Sequence, residues 1–142
     1  TRGQFIKMLC DAYGIKPVTS GDNFADAGNT WYTPYLAAAK QLGISKGVGN
    51  NMFAPEQEIT REDMFTLLYN ALTLLDEVEK TDIKDDVLSR FEDSKDISPW
   101  ALEAVKYLAA SNLVNGDGGK LSPRSGANRA EMAQIFYNLL TR

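Results

Sequence analysis

The chain has 142 residues, 44% hydrophobic and 24% charged, with a net charge of −4, which is enough apolar material for one core of ordinary single-domain size. No stretch approaches the roughly 18 consecutive apolar residues of a membrane span, and no contiguous basic run argues for nucleic acid. Histidine is absent, which removes imidazole bases and most zinc sites, and the single cysteine, Cys10, leaves no disulfide within the chain.

The chain opens on Thr1-Arg2-Gly3-Gln4, a capping hydroxyl followed three residues later by a group able to reach back. Phe5, Ile6, Met8 and Leu9 then give the apolar face of a helix, and Cys10, spaced with Ile6, Leu9 and Tyr13, reads as a small core residue. Residues 1–17 form the second half of a repeat whose first half is not present. A sequence that starts inside a repeat, without Met and without a basic-then-apolar leader, is expected to come from a longer protein.

Residues 22–75 carry a complete repeat. Phe24-Ala25-Asp26 and Trp31 precede a helix that the spacing predicts from Thr33-Pro34, with the hydroxyl as cap and the proline pre-set for the first turn. Tyr35, Leu36, Ala39 and Leu42 make its apolar face, and Gly43 ends it. From Gly47 to Pro55 the glycine and asparagine density predicts turns with positive φ, with room for a very short strand. Thr60-Arg61-Glu62-Asp63 then caps a second helix whose face, Met64, Phe65, Leu67, Leu68, Ala71, Leu72 and Leu75, is wide enough for burial on more than one side.

Residues 76–90, rich in Asp, Glu and Lys, read as a linker, and 91–142 repeat the pattern. Phe91-Glu92-Asp93 answers Phe24-Ala25-Asp26, Trp100 answers Trp31, Gly116 answers Gly47, Pro123 answers Pro55 and Arg129 answers Arg61. Ser98-Pro99 starts the helix bearing Leu102, Val105, Leu108 and Ala109. Asn128 with Glu131 caps the last one, which carries Met132, Ile135, Phe136, Leu139 and Leu140. Repetition of this kind marks supersecondary units that bury their apolar faces against neighbours. The fold class is therefore all-α, tandem helix-loop-helix repeats, whose three wide-faced helices could pack as a central bundle.

Arg2, Arg61 and Arg129 all fall at the first helical position, where the macrodipole disfavours a cation by a few tenths of a kcal/mol. A guanidinium beside unpaired helix N–H groups makes an anion site; the competing reading pairs each arginine with an acid such as Asp26 or Asp93. Trp31 and Trp100 either cap the core or offer a platform for a sugar ring. Asp26 and Asp93 either accept from ligand hydroxyls or cap local backbone, and Gly47 and Gly116 serve turn geometry or let a ligand approach the backbone. Asp26, Asp93, Asp22 and Asp117 could supply a glycosidase carboxylate pair, but each has a turn or cap role available. No loop has the spacing of a helix-loop-helix calcium site, and neither metal nor cofactor is expected.

The order Phe24, Asp26, Trp31, Gly43-Ile44, Gly47, Gly49, Phe53, Pro55 and Ile59-Thr60-Arg61-Glu62 resembles the S-layer homology repeat, over nearly the whole chain. The resemblance implies a pseudo-threefold arrangement around a central three-helix bundle and a non-catalytic module at the bacterial cell surface, outside the cell. It implies anchoring to secondary cell-wall polysaccharide, often through a pyruvate ketal whose carboxylate is anionic. Arg61, Arg129 and Arg2 would hold that carboxylate, and Trp31, Trp100, Asp26, Asp93, Gly47 and Gly116 would line grooves between repeats. The last repeat departs from the pattern at Asn112-Leu113, Leu121 and Ala127-Asn128, which predicts a degraded groove. A protein-interaction or self-assembly module is the alternative, with a second chain covering apolar surface left by the truncated first repeat.

Overall fold

The computed structural model describes residues 1–79 and 82–141. Lys80 and Thr81 of the linker read over 76–90, and Arg142 at the end of the last repeat, lie outside the described residues. The chain parts into two compact units, Thr1–Ile59 and Thr60–Arg142. That boundary falls inside the repeat read over 22–75, so each unit joins the Thr-Arg helix of one repeat to the front half of the next.

In the first unit, α1 (Arg2–Tyr13) starts with a complete capping box. Thr1 Oγ1 accepts from Gln4 N–H and Gln4 Oε1 accepts from the Thr1 amino group. Its N-terminus docks on loop 53–57: the N–H groups of Arg2 and Gly3, orphaned in the helix, donate to Gln57 O and Pro55 O at 2.9 Å each. α2 (Thr33–Leu42) ends at Gly43, which takes a left-handed φ of 82°. Its cap differs from expectation. Tyr32 is the N-cap residue and offers no side-chain bond, while the Thr33 hydroxyl, one position late, accepts from Thr30 N–H and donates to Ala27 O. Leu36, Ala37, Ala38 and Ala39 are buried, but Leu42, read as part of that face, is exposed beside the helix end.

Cys10 is buried on α1 and its thiol is pushed up to about 11, mainly by burial. Because the thiolate is the reactive form, native Cys10 should resist a thiol reagent at pH 8 and label only on unfolding. Stoichiometric labelling of the folded chain would contradict the packing described.

The second unit contains α3 (Arg61–Leu74), α4 (Leu102–Ala110) and α5 (Arg129–Leu140), with short 3₁₀ turns at Ser94–Asp96 and Pro99–Ala101. The loop contact of the first unit recurs: Arg61 N–H donates to Ser125 O at 2.9 Å and Glu62 N–H to Pro123 O at 2.8 Å. Thr60 and Asn128 cap α3 and α5 through Asp63 N–H and Glu131 N–H. Met64, Phe65, Leu67, Leu68, Ala71 and Leu72 are buried as the spacing required, and so are Met132, Ile135, Phe136 and Leu139, whereas Leu140 is exposed. Ser98 does not cap α4 with its hydroxyl. Its N–H and Oγ both donate to the buried carboxylate of Glu62, at 2.9 and 2.8 Å.

Among the described residues the regular secondary structure is helical, in keeping with the all-α reading. Where short strands had room to form, the described residues have single antiparallel bridges, Gly49 with Met52 and Asp117 with Lys120. Left-handed residues on both sides, among them Gly47, Asn50, Asn51, Gly118 and Gly119, turn the chain before a ladder can extend.

Candidate functional site: an arginine-edged cleft

Each front half is a loop closed by an aspartate. Asp26 accepts from Phe53 N–H and Ala54 N–H at 2.8 and 2.7 Å, and Asp93 from Leu121 N–H and Ser122 N–H at 2.9 and 2.8 Å. Ala54 and Ser122 both take positive φ, 58° and 49°, so the carboxylates hold a backbone shape that L residues resist. Burial by itself would raise the Asp93 carboxyl, but the amides of Leu121 and Ser122 and the nearby Lys120 outweigh it and hold the group below the usual carboxylate value. Gly47 and Gly116 lie in the same loops, where an added Cβ would meet the rings of Phe24 and Phe91.

The arginines fill three different situations. Arg2 is only 4% exposed; its Nε donates to Phe53 O at 2.9 Å and its guanidinium carbon lies 4.6 Å from the Phe53 ring centre. Arg61 is the matching residue of the second unit. Its Nε donates to Leu121 O at 2.6 Å, its guanidinium lies 5.4 Å from the Phe65 ring centre and its Nη1 is paired with Glu131 Oε2. Arg129 is exposed. At α1 and α3 the first helix N–H groups are taken by loop carbonyls, so the open donors that the arginine positions suggested are not present there.

Beside Arg61 the second unit has a cleft of about 400 Å³. Phe65, Leu113, Val114 and Ile135 give it apolar walls, and Asn115, Asp117, Glu131, Gln134 and Asn138 add polar groups around Arg61 and Gly116. Of the residues singled out from the sequence, Arg61, Gly116 and Asp117 are thus brought to one cavity, while Trp100, Asp93 and Arg129 are not among its lining. Trp31 and Trp100 are 53% and 57% exposed, so neither indole is a core residue. Sequence reasoning missed Glu131 as a partner of Arg61. Its place three residues after Asn128 identified it as a capping residue, and nothing local shows that its carboxylate also reaches another helix.

The family model described as S-layer homology domain matches residues 23–65 and 90–133. Among similar proteins, Exoglucanase XynX of Acetivibrio thermocellus is 34% identical over 144 aligned positions that cover the whole chain and 13% of that protein. Amylopullulanase of Thermoanaerobacterium thermosulfurigenes is also 34% identical over the whole chain, which spans 8% of its length. S-layer protein EA1 of Bacillus anthracis is 35% identical over 114 positions, 80% of this chain and 12% of that one. The chain therefore spans a small fraction of these relatives, of which two are named as enzymes and one as an S-layer protein.

Proposed function

The chain belongs to the S-layer homology domain family, cell-wall anchoring modules of the bacterial surface, and on that premise we propose that it binds an acidic, pyruvate-bearing secondary cell-wall polysaccharide. As an S-layer homology module the chain is not itself an enzyme, and its match covers 13% and 8% of the length of the two enzyme relatives. The observation that carries the proposal is the cleft beside Arg61, where a guanidinium held by Glu131 meets amide side chains and an apolar wall in a space of about 400 Å³. Such a mixture suits a sugar bearing one anionic group. The exposed indoles of Trp31 and Trp100 support stacking on sugar rings outside that cleft. Of the other residues proposed from the sequence, Asp26 and Asp93 shape loops and Arg2 holds one, each within its own unit, while Arg129 is exposed on the second.

Co-sedimentation with purified wall polysaccharide tests this directly. Arg61→Ala combined with Arg129→Ala should cut pelleting at least about tenfold, the scale of losing one partner of a close charge pair, and removal of the ketal should have a similar effect on the unmodified chain. Unchanged pelleting of a double variant that remains folded would reject the arginine site. A second reading, docking to a second copy of the chain, is favoured by the exposure of Tyr137 and Leu140 one turn apart on α5. It predicts assembly without polysaccharide, which the same experiment reads in its glycan-free control.

A further inference from the structure

Arg61 does not meet the cleft as a free cation. The Glu131 carboxylate already sits on its Nη1, while Asn128 Nδ2 donates to the other oxygen of Glu131 at 3.1 Å. The Arg61 side chain is 14% exposed and that of Glu131 33%, so the acid is the more open member of the pair. With Asp117, the ionised lining of the cleft amounts to one guanidinium and two carboxylates. An incoming anion finds the guanidinium occupied and an acidic surround, and like charges brought together there oppose its binding.

We infer that Glu131 is a specificity-determining residue, an internal carboxylate that holds Arg61 until an acidic ligand displaces it. The inference rests on the reading that this cleft takes an acidic glycan. A half-buried guanidinium deprived of any acid partner would be left with an uncompensated charge, and Glu131 removes that cost in the empty cleft. Displacement then leaves Arg61 anchored, because its Nε bond to Leu121 O and its packing on Phe65 do not involve Glu131. A carboxylate alone exchanges one ion pair for another and gains little. A ligand gains when it also brings hydroxyl or amide groups to Asn115 and to the hydrogen-bonded pair in which Gln134 Nε2 donates to Asn138 Oδ1, so the ion pair filters for an acid carried on a sugar over a simple anion.

Glu131→Gln removes the charge and keeps the shape. Glutamine at this helix position is tolerated by the chain itself, where Gln4 completes the cap of α1. Calorimetric titration of the whole chain would use two probes, the polysaccharide with its ketal pyruvate and the same polymer after the ketal is removed. Expected is a gain of about tenfold for the acidic polymer and a change within about twofold for the neutral one, with Glu131→Asp, which draws the carboxylate back, giving a smaller gain of the same kind. Asp117→Asn, which neutralises an acid not paired with Arg61, should give less than Glu131→Gln. Equal gains from Asp117→Asn and Glu131→Gln, equal gains for both polymers, or unchanged or weaker binding by Glu131→Gln and Glu131→Asp would overturn the inference. Failure of the unmodified chain to bind either polymer would instead sink the polysaccharide reading, and this inference with it.

Discussion

Gly47→Ala should lower the unfolding free energy by about 3 kcal/mol or more, a large share of the roughly 5–15 kcal/mol typical of a domain. Gly47 has a φ of 80°, and a Cβ there would lie 2.2 Å from Met52 O and 2.8 Å from Phe24 Cε1. The first contact is with backbone, so relief requires the whole turn to move, and that turn carries the Val48 N–H bond to Met52 O. The matching Gly116 faces Lys120 O at 2.6 Å and Phe91 Cε1 at 2.9 Å. Gly14, with a φ of 66° and open space around it, separates strain from collision. Gly14→Ala should cost only about 1–2 kcal/mol, and urea unfolding curves showing the same loss for both variants would contradict the collision.

Asp93→Ala should cost about 3 kcal/mol, because it leaves the N–H groups of Leu121 and Ser122 without their acceptors, at roughly 1–3 kcal/mol for each donor left buried. The same bonds predict a pH dependence. The folded carboxyl titrates below its unfolded value, so its contribution is complete above the unfolded value of about 3.9 and is lost as pH falls through the lower folded one. Urea midpoints collected from neutral to acid pH should therefore decline less steeply below about pH 4 for Asp93→Ala than for the unmodified chain. Parallel declines would remove Asp93 as the source.

Much of the fold was legible in the sequence because its determinants are local. Thr60 and Asn128 cap through the next turn of their own helices, Gly43 ends α2 by accepting a left-handed φ, and the spacing of Met64, Leu68 and Leu72 identifies a buried face wherever the helix lies. Less legible were the roles that depend on a distant partner. Ser98 and Thr33 were expected as caps by residue type, yet one bonds a carboxylate 36 positions away and the other the loop before its helix. Leu42 and Leu140 continue their apolar patterns past the point where there is anything to pack against. A compensating exchange between units was equally invisible: Gly3 stands where α3 has Glu62, and Tyr32 stands where the last repeat has Ala101. In the first unit the Tyr32 ring lies against Gly3, where a Cβ would be 3.2 Å from it, and the Tyr32 hydroxyl donates to Glu56.

For the site, residue type and position singled out Arg61 and Gly116, which do share a cleft, and also singled out Arg2, which is buried against Phe53. Three arginines at one sequence position have three surroundings, since exposure and partners are set by whichever loop or helix arrives beside them.

By itself the sequence determined the repeating pattern, the helices, the caps of α1, α3 and α5 and the family, because each rests on residues a few positions apart or on a pattern copied along the chain. Only the tertiary structure decided that the compact units are out of phase with those repeats, that Asp26 and Asp93 spend their oxygens on loop amides, and that Arg61 has Glu131 for company. These facts follow from hydrogen bonds and ion pairs between groups that spacing along the chain does not relate, since a carbonyl or carboxylate satisfies whichever donor the packed helices carry to it.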